Sequence, residues 1–276
     1  MKTAFRRLVR FRATDGSIKY GEGPYQVAIG DKVEVYNGTE PWNLEKSGKT
    51  SEIAEILCPL PSVKIFYGIG LNYKQHIFEA EMPIPEYPTV FTKPPDALAG
   101  PYDEILVDRK CLNLDYEGEL CVVIGKDCKN YDAKDDYMQF VFGYCVGNDV
   151  SSRFWQMPNQ SGNQHGYAKS FDQFGPIGPV IVSTSEIPKP EELELCTTVN
   201  GELRQKTSTG DLLFTIPKIL EHLSRGTTIR EGTVIMTGTP SGVAAFMKPP
   251  AWLQTGDVVQ VEISNIGRIS NRMVIR

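Results

Sequence analysis

Short apolar runs set off by glycine, proline and acidic turns fill the chain. Leu8–Phe11, Gln26–Ile29 and Lys32–Tyr36 are separated by Asp15-Gly16, Gly21-Glu22-Gly23-Pro24 and Gly30-Asp31, a pattern that predicts three short strands. Asp31 after Gly30, between two apolar runs, predicts a hairpin. Cys58-Pro59-Leu60-Pro61 marks a connector, because two prolines exclude regular pairing. Further strands are expected at 64–70, 120–125, 140–146, 180–183, 195–199, 203–205, 234–237 and 258–263. Val199-Asn200-Gly201-Glu202 is the strongest hairpin signal, since Asn-Gly suits a type I′ turn. Only two or three short helices are expected, over 73–81, 132–140 and 215–224. Asn72 should cap the first, with Gln75 completing a capping box, and Pro83 should stop it. The pattern is that of a strand-dominated α/β protein. It divides into a small β-rich unit over 1–58 and a larger domain over 59–276.

Composition narrows the classes. The 276 residues are 41% hydrophobic and 23% charged, enough for a sizeable core. The net charge of −5, with no basic stripe, argues against nucleic-acid binding. No window approaches the ~18 apolar residues of a membrane span. No G-x-G-x-x-G or phosphate loop follows a strand, which disfavours a nucleotide fold. The first 14 residues carry Lys2, Arg6, Arg7, Arg10 and Arg12 and no acid. A first strand is the plain reading and a mitochondrial transit segment the alternative, so the expectation is a cytoplasmic protein with a mitochondrial one as second choice. The six cysteines form no C-x-x-C pair and are expected to be reduced.

The most informative segment is Asp115-Tyr-Glu117-Gly-Glu119-Leu-Cys-Val-Val-Ile-Gly125. In a strand, Glu117, Glu119, Cys121 and Val123 share one face and Gly118, Leu120, Val122 and Ile124 the other. Both faces turn apolar, as in a strand covered on two sides. Two carboxylates at the mouth of such a strand repel each other and lose solvation, and a divalent cation relieves both costs. Taken alone, the pair reads more plainly as a solvated strand start. A second apolar strand ends in Asn148-Asp149 and offers a third acid, or simply an Asx turn. Three oxygen ligands without Cys or His suit Mg²⁺ before Mn²⁺ or Ca²⁺. His76 and Glu79 are three apart on the first helix and share a face, either as a catalytic dyad or as an exposed hydrogen bond.

Several motifs in order resemble the fumarylacetoacetate hydrolase superfamily. These are Glu117-x-Glu119, Asn148-Asp149-Val-Ser-Ser-Arg153, Ala168-Lys169-Ser-Phe-Asp172 and Thr237-Gly-Thr239-Pro-Ser-Gly-Val243. The resemblance runs from about Ile65 to the C-terminus. Gly100–Asp103 and Lys248–Asp257 are similar to one branch of the family. The resemblance implies a mixed β-roll with a small N-terminal domain, a homodimer, and a small keto- or diketo-acid substrate. It implies Glu117, Glu119 and Asp149 as Mg²⁺ ligands, and His76, Glu79 and Lys169 as catalytic groups. Lys93, Arg153, Gln156 and Thr239 would bind substrate, with Lys93 reaching its carboxylate. Without the resemblance, Arg153 reads as a surface ion pair, Lys169 as solvated, and Thr237–Pro240 as a structural turn. Phe154-Trp155 and Gln173 depart from the family pattern and bear on substrate identity. His165 and His222 have no partner in sequence and receive no role.

The first expectation is therefore Mg²⁺-dependent hydrolysis of a carbon–carbon bond in a 2,4-diketo acid or acylpyruvate. The second is an oxaloacetate tautomerase or decarboxylase on the same residues, favoured by the branch resemblance. The third is a metal-stabilised binding protein without turnover.

Overall fold

The computed structural model describes residues 4–79 and 83–276. Its strands form two main sheets. The larger runs in the order Ile18–Glu22, Lys32–Asn37, Glu45–Ile56, Arg7–Ala13, Gly175–Val182, Val141–Asn148, Gly118–Ile124, Val234–Met236, Phe66–Gly70 and Thr89–Lys93, and Leu98–Ala99 also pairs with Gly175–Val182. The second runs Glu202–Ser208, Glu194–Val199, Val258–Ile263, Gly267–Ile275 and Ile105–Val107. Most pairs are antiparallel, but Val234–Met236 lies parallel to Phe66–Gly70. The fold is thus the strand-dominated α/β architecture expected.

The Gly118–Ile124 strand occupies the middle of this arrangement and is buried throughout. Leu120, Val122 and Ile124 join one core with Leu195, Val259 and Val261 of the second sheet, while Cys121 and Val123 join another with Phe66 and Ile177. Burial of each such side chain contributes roughly 1.5–3 kcal/mol. The two-faced apolar pattern read from sequence is therefore physical. It anchors Glu117 and Glu119 at the one end of the strand where the pattern turns acidic.

The sheets approach closely at that end. A Cβ on Gly118 would lie 2.2 Å from Thr197 Oγ1 and 3.0 Å from a Val261 methyl. Gly118→Val is expected to cost about 1–3 kcal/mol or more by overpacking, which lowers Tm by about 2–4 °C per kcal/mol. Calorimetry showing an unchanged Tm would contradict the close contact.

Elsewhere the structure corrects the local expectations. Gln26–Ile29 is not a strand, so the Gly30-Asp31 hairpin does not form. Instead Asp31 accepts a hydrogen bond from the Ala28 N–H at 2.8 Å and curls the run into a turn that leaves Ile29 exposed. Glu45–Ile56 is a long strand that the pattern misses, because most of its side chains are exposed and polar. The helix expected over 132–140 is only a 3-10 turn at Tyr137–Gln139. There Asp132 and Asp136 accept hydrogen bonds from the Lys134 and Met138 N–H groups, closing Asx turns that compete with a helix. The helices at Lys74–Glu79 and Ile216–Ser224 form, and positions 80–82 of the first expectation lie outside the described residues. Asn72 does not cap. Its amide bonds Phe214 and the Thr237 carbonyl, and Asp211 receives the Gln75 N–H at 3.1 Å. The Asn200-Gly201 hairpin forms with positive φ at both residues, as a type I′ turn requires. All six cysteines are free thiols. Among the described residues no helix is long and apolar enough to cross a membrane.

Candidate metal and substrate site

Glu117, Glu119 and Asp149 come together, with a ligand atom from each lying within 4.8 Å of the others, and all three are buried. Backbone pairing makes this happen. Gly118 stands opposite Asn148 across the two central strands. The Asn148 side chain accepts the Glu117 N–H at 2.9 Å, and the Asp149 N–H donates to the Glu117 carbonyl at 2.9 Å. The loop after Val234–Met236 supplies the third wall. Gly238, at a φ of +108°, donates its N–H to Glu119 Oε2 at 2.6 Å. A Cβ at Gly238 would sit 2.8 Å from Asn72 Cβ, so the loop approaches this closely only with glycine. Thr239 donates to the Gly118 carbonyl at 3.0 Å and accepts from Gln205 at 2.8 Å.

The cations are arranged unevenly. Lys169 Nζ lies 2.6 Å from Asp149 Oδ2 and 2.8 Å from Glu117 Oε1. Lys93 pairs with Asp149 and also donates to the Val150 carbonyl at 3.3 Å. Arg153 reaches Asp115 at 2.8 Å, Glu117 at 2.7 Å and Gln156 at 2.8 Å. Four carboxylates thus face three cations, and among the described residues Glu119 has no cation against it. Burial pushes the Glu119 carboxyl well above its usual range, and the Asp149 and Glu117 charges push it further. Burial acts the same way on Glu117, but there the Lys169 and Arg153 cations win and hold it down to about 2. Burial alone would lower Lys169, yet Asp149 and Glu117 keep it raised. Burial lowers Lys93 against the pull of Asp149.

Six of the expected site residues line one cavity: His76, Glu117, Arg153, Gln156, Lys169 and Thr239. Glu79 stands behind His76, accepting at 3.1 Å from His76 Nδ1, and is itself held by the Gly242 N–H at 3.2 Å. Glu119 and Asp149 are not in the lining and adjoin it through Glu117, the triad member that is. Lys93 is not among the lining residues, and its ammonium pairs with Asp149. Arg153 and Lys169 are drawn inward rather than solvated, with Lys169 only 2% exposed. Gln173 takes no part, since it accepts the Leu106 N–H at 2.9 Å. Trp155 points elsewhere, donating to the Lys110 carbonyl at 2.9 Å.

Three contributors were assigned no role from sequence. Asp115 is fully buried and accepts from Arg153 and from the Tyr116, Ala244 and Ala245 N–H groups. It thereby couples Arg153 to the 243–246 loop, whose Phe246 ring meets His76 at 5.5 Å. Its period-two spacing from Glu117 was a usable signal. Gln205 bridges Thr239 and the Gly118 N–H, and His165 lines the cavity. For these two, nothing in the local sequence points to the site.

The residues fit a hard cation. The donor set is all oxygen, the geometry is convergent, and a buried carboxylate lacks a counter-charge. Comparisons with known proteins agree in kind. A family model described as Fumarylacetoacetate (FAA) hydrolase C-terminal matches residues 65–274. The chain is 41% identical to bovine mitochondrial oxaloacetate tautomerase FAHD2B over 75% of its own length and 65% of that protein's. It therefore spans just under two thirds of that relative. It is 44% identical to the Bacillus subtilis oxaloacetate tautomerase YisK over 78% of its own length and 71% of that protein's. Among solved structures, a 2-hydroxyhepta-2,4-diene-1,7-dioate isomerase from Mycobacterium marinum superposes with a TM-score of 0.83 at 30% identity, covering 98% of this chain and 99% of that one.

Proposed function

Because the chain belongs to the fumarylacetoacetate hydrolase family, we propose that it is a metal-dependent enzyme acting on a small enolisable keto acid, with keto–enol tautomerisation of oxaloacetate as its reaction. The observation that carries this reading is Glu119, a buried carboxylate with no cation beside two others that have them. With Glu119 ionised the cluster has one negative charge in excess, a state that its raised pKa resists. A doubly charged ion on Glu117, Glu119 and Asp149 would reverse the sign, so the site then favours an anionic substrate. Such an ion, Mg²⁺ before Mn²⁺ or Ca²⁺, would supply Lewis acidity when bound.

The chain's own groups account for the rest. Lys169 and Arg153 are fixed positive charges on the cavity wall, and they stabilise negative charge developing on an enolate oxygen. His76 donates its Nδ1–H to Glu79, which leaves the Nε2 lone pair free to take a proton from substrate carbon and to return it. Gln156 and Thr239 orient the acid. Moving a proton needs these groups alone, whereas hydrolysis of a diketo acid also needs a positioned water. The names of the two relatives support the proton-transfer reading over carbon–carbon hydrolysis. A homodimer, and a mitochondrial location as in the bovine relative's name, belong to the same proposal.

The test uses oxaloacetate, acetylpyruvate and fumarylpyruvate with and without Mg²⁺, with products followed by NMR. Accelerated keto–enol exchange of oxaloacetate, lost in EDTA and restored by Mg²⁺, is expected. Cleavage of either diketo acid without such exchange would return the reading to a hydrolase. EDTA-resistant turnover would remove the metal from the account.

A further inference from the structure

His165 lies on the wall of the cavity just described, beside Lys169 and Arg153. Most polar atoms around it are already engaged. Arg153 is held by Asp115, Glu117 and Gln156, and Lys169 by Asp149 and Glu117. Glu79 holds His76 at Nδ1 only, leaving Nε2 as the base, Gln156 is engaged through Oε1, and Thr239 is held by Gly118 and Gln205. His165 differs, since neither ring nitrogen makes a hydrogen bond to any described residue. The ring is nonetheless placed, 6.1 Å from the Phe91 ring, whose face also carries Lys169 Nζ at 5.0 Å. A partly buried imidazole without a partner, on the wall of a cavity that also carries Lys169 and Arg153, is poised to meet a ligand oxygen. Burial, with Lys169 adding to it, lowers its pKa and favours the neutral ring, which offers one N–H donor.

A keto diacid poses a placement problem that this arrangement answers. Its first carboxylate and keto oxygen belong near the acidic triad, Lys169 and Arg153. Its second carboxylate must meet some other donor on the wall. We propose that His165 determines specificity by hydrogen-bonding the second carboxylate, so that the site prefers a four-carbon keto diacid to a keto monoacid. This rests on the keto-acid reading above.

Two unreactive probes separate the issues. Malate and lactate share a 2-hydroxy acid head, and only malate carries a second carboxylate. Binding of each to the Mg²⁺-loaded protein is measured by calorimetry for the wild type, His165→Phe and His165→Gln. Wild type should bind malate at least tenfold more tightly than lactate. His165→Phe should weaken malate about tenfold or more and leave lactate within twofold. His165→Gln, which keeps a donor, should recover much of the loss. In turnover of oxaloacetate, His165→Phe should raise KM with kcat within about threefold. Equal weakening of both ligands would make His165 a packing residue and overturn the inference while the keto-acid reading stands. Equal wild-type affinity for malate and lactate would do the same. Failure of the wild type to bind either would overturn both.

Discussion

Glu119→Gln should abolish metal binding and turnover while leaving the metal-free fold as stable as wild type or more so. The two effects have one cause. Glu119 is the carboxylate without a cation, so the charge required by a metal is a burden without one. Loss of metal affinity should be at least ~100-fold, the upper end of what removing even an indirect partner costs. The pH dependence in EDTA has a definite sign. The Glu119 pKa is raised in the fold, so above its ordinary value the folded state holds a proton that the unfolded state has released. Wild-type stability contributed by this group therefore falls as pH rises above about 4.5, and that decline should be missing from Glu119→Gln. Thermal denaturation at pH 5 and pH 7.5 in EDTA checks it. A variant that melts well below wild type at both pH values would contradict the idea that Glu119 is uncompensated.

His76→Ala should lower kcat by about 10²–10⁴-fold, the usual contribution of a placed acid–base group, with metal affinity and Tm near wild type. His76 touches Glu79 and the Phe246 ring but does not belong to the acidic triad. Chemistry and metal binding should therefore separate. Glu79→Gln should show a smaller loss of the same kind, because the amide no longer fixes the imidazole tautomer as a carboxylate does. Exchange of oxaloacetate protons measured by NMR for each variant, alongside metal titration, gives both quantities. Full turnover in His76→Ala would remove the dyad from the mechanism.

The parts of the site that were legible in sequence are those built on regular strands. Glu117 and Glu119 sit at the end of a strand whose alternation is read directly, and Asp149 follows a strand that pairs with it. Their convergence needed only the pairing of those two strands. The positions of the cations were not legible without the family resemblance. Lys169 lies in a glycine- and serine-rich connector that reads as solvated, and only tertiary contact with Asp149 draws it in. Lys93 is likewise marked only by motif position, and its ammonium pairs with Asp149 of the acidic triad. The overpredicted strand at 26–29 and helix at 132–140 share a physical cause. At Asp31, Asp132 and Asp136, short carboxylate side chains capture nearby N–H groups and close local turns, overriding the apolar pattern around them. At Asn72 the reverse occurs, because distant backbone groups take the amide that local sequence assigns to a helix cap.

The central claim is best tested by anomalous diffraction from crystals of the wild type soaked in Mn²⁺. A single strong peak bounded by the carboxylates of Glu117, Glu119 and Asp149 is predicted, absent from Glu119→Gln crystals treated alike. A wild-type map with no peak among these three side chains, or with the ion held elsewhere, would contradict it.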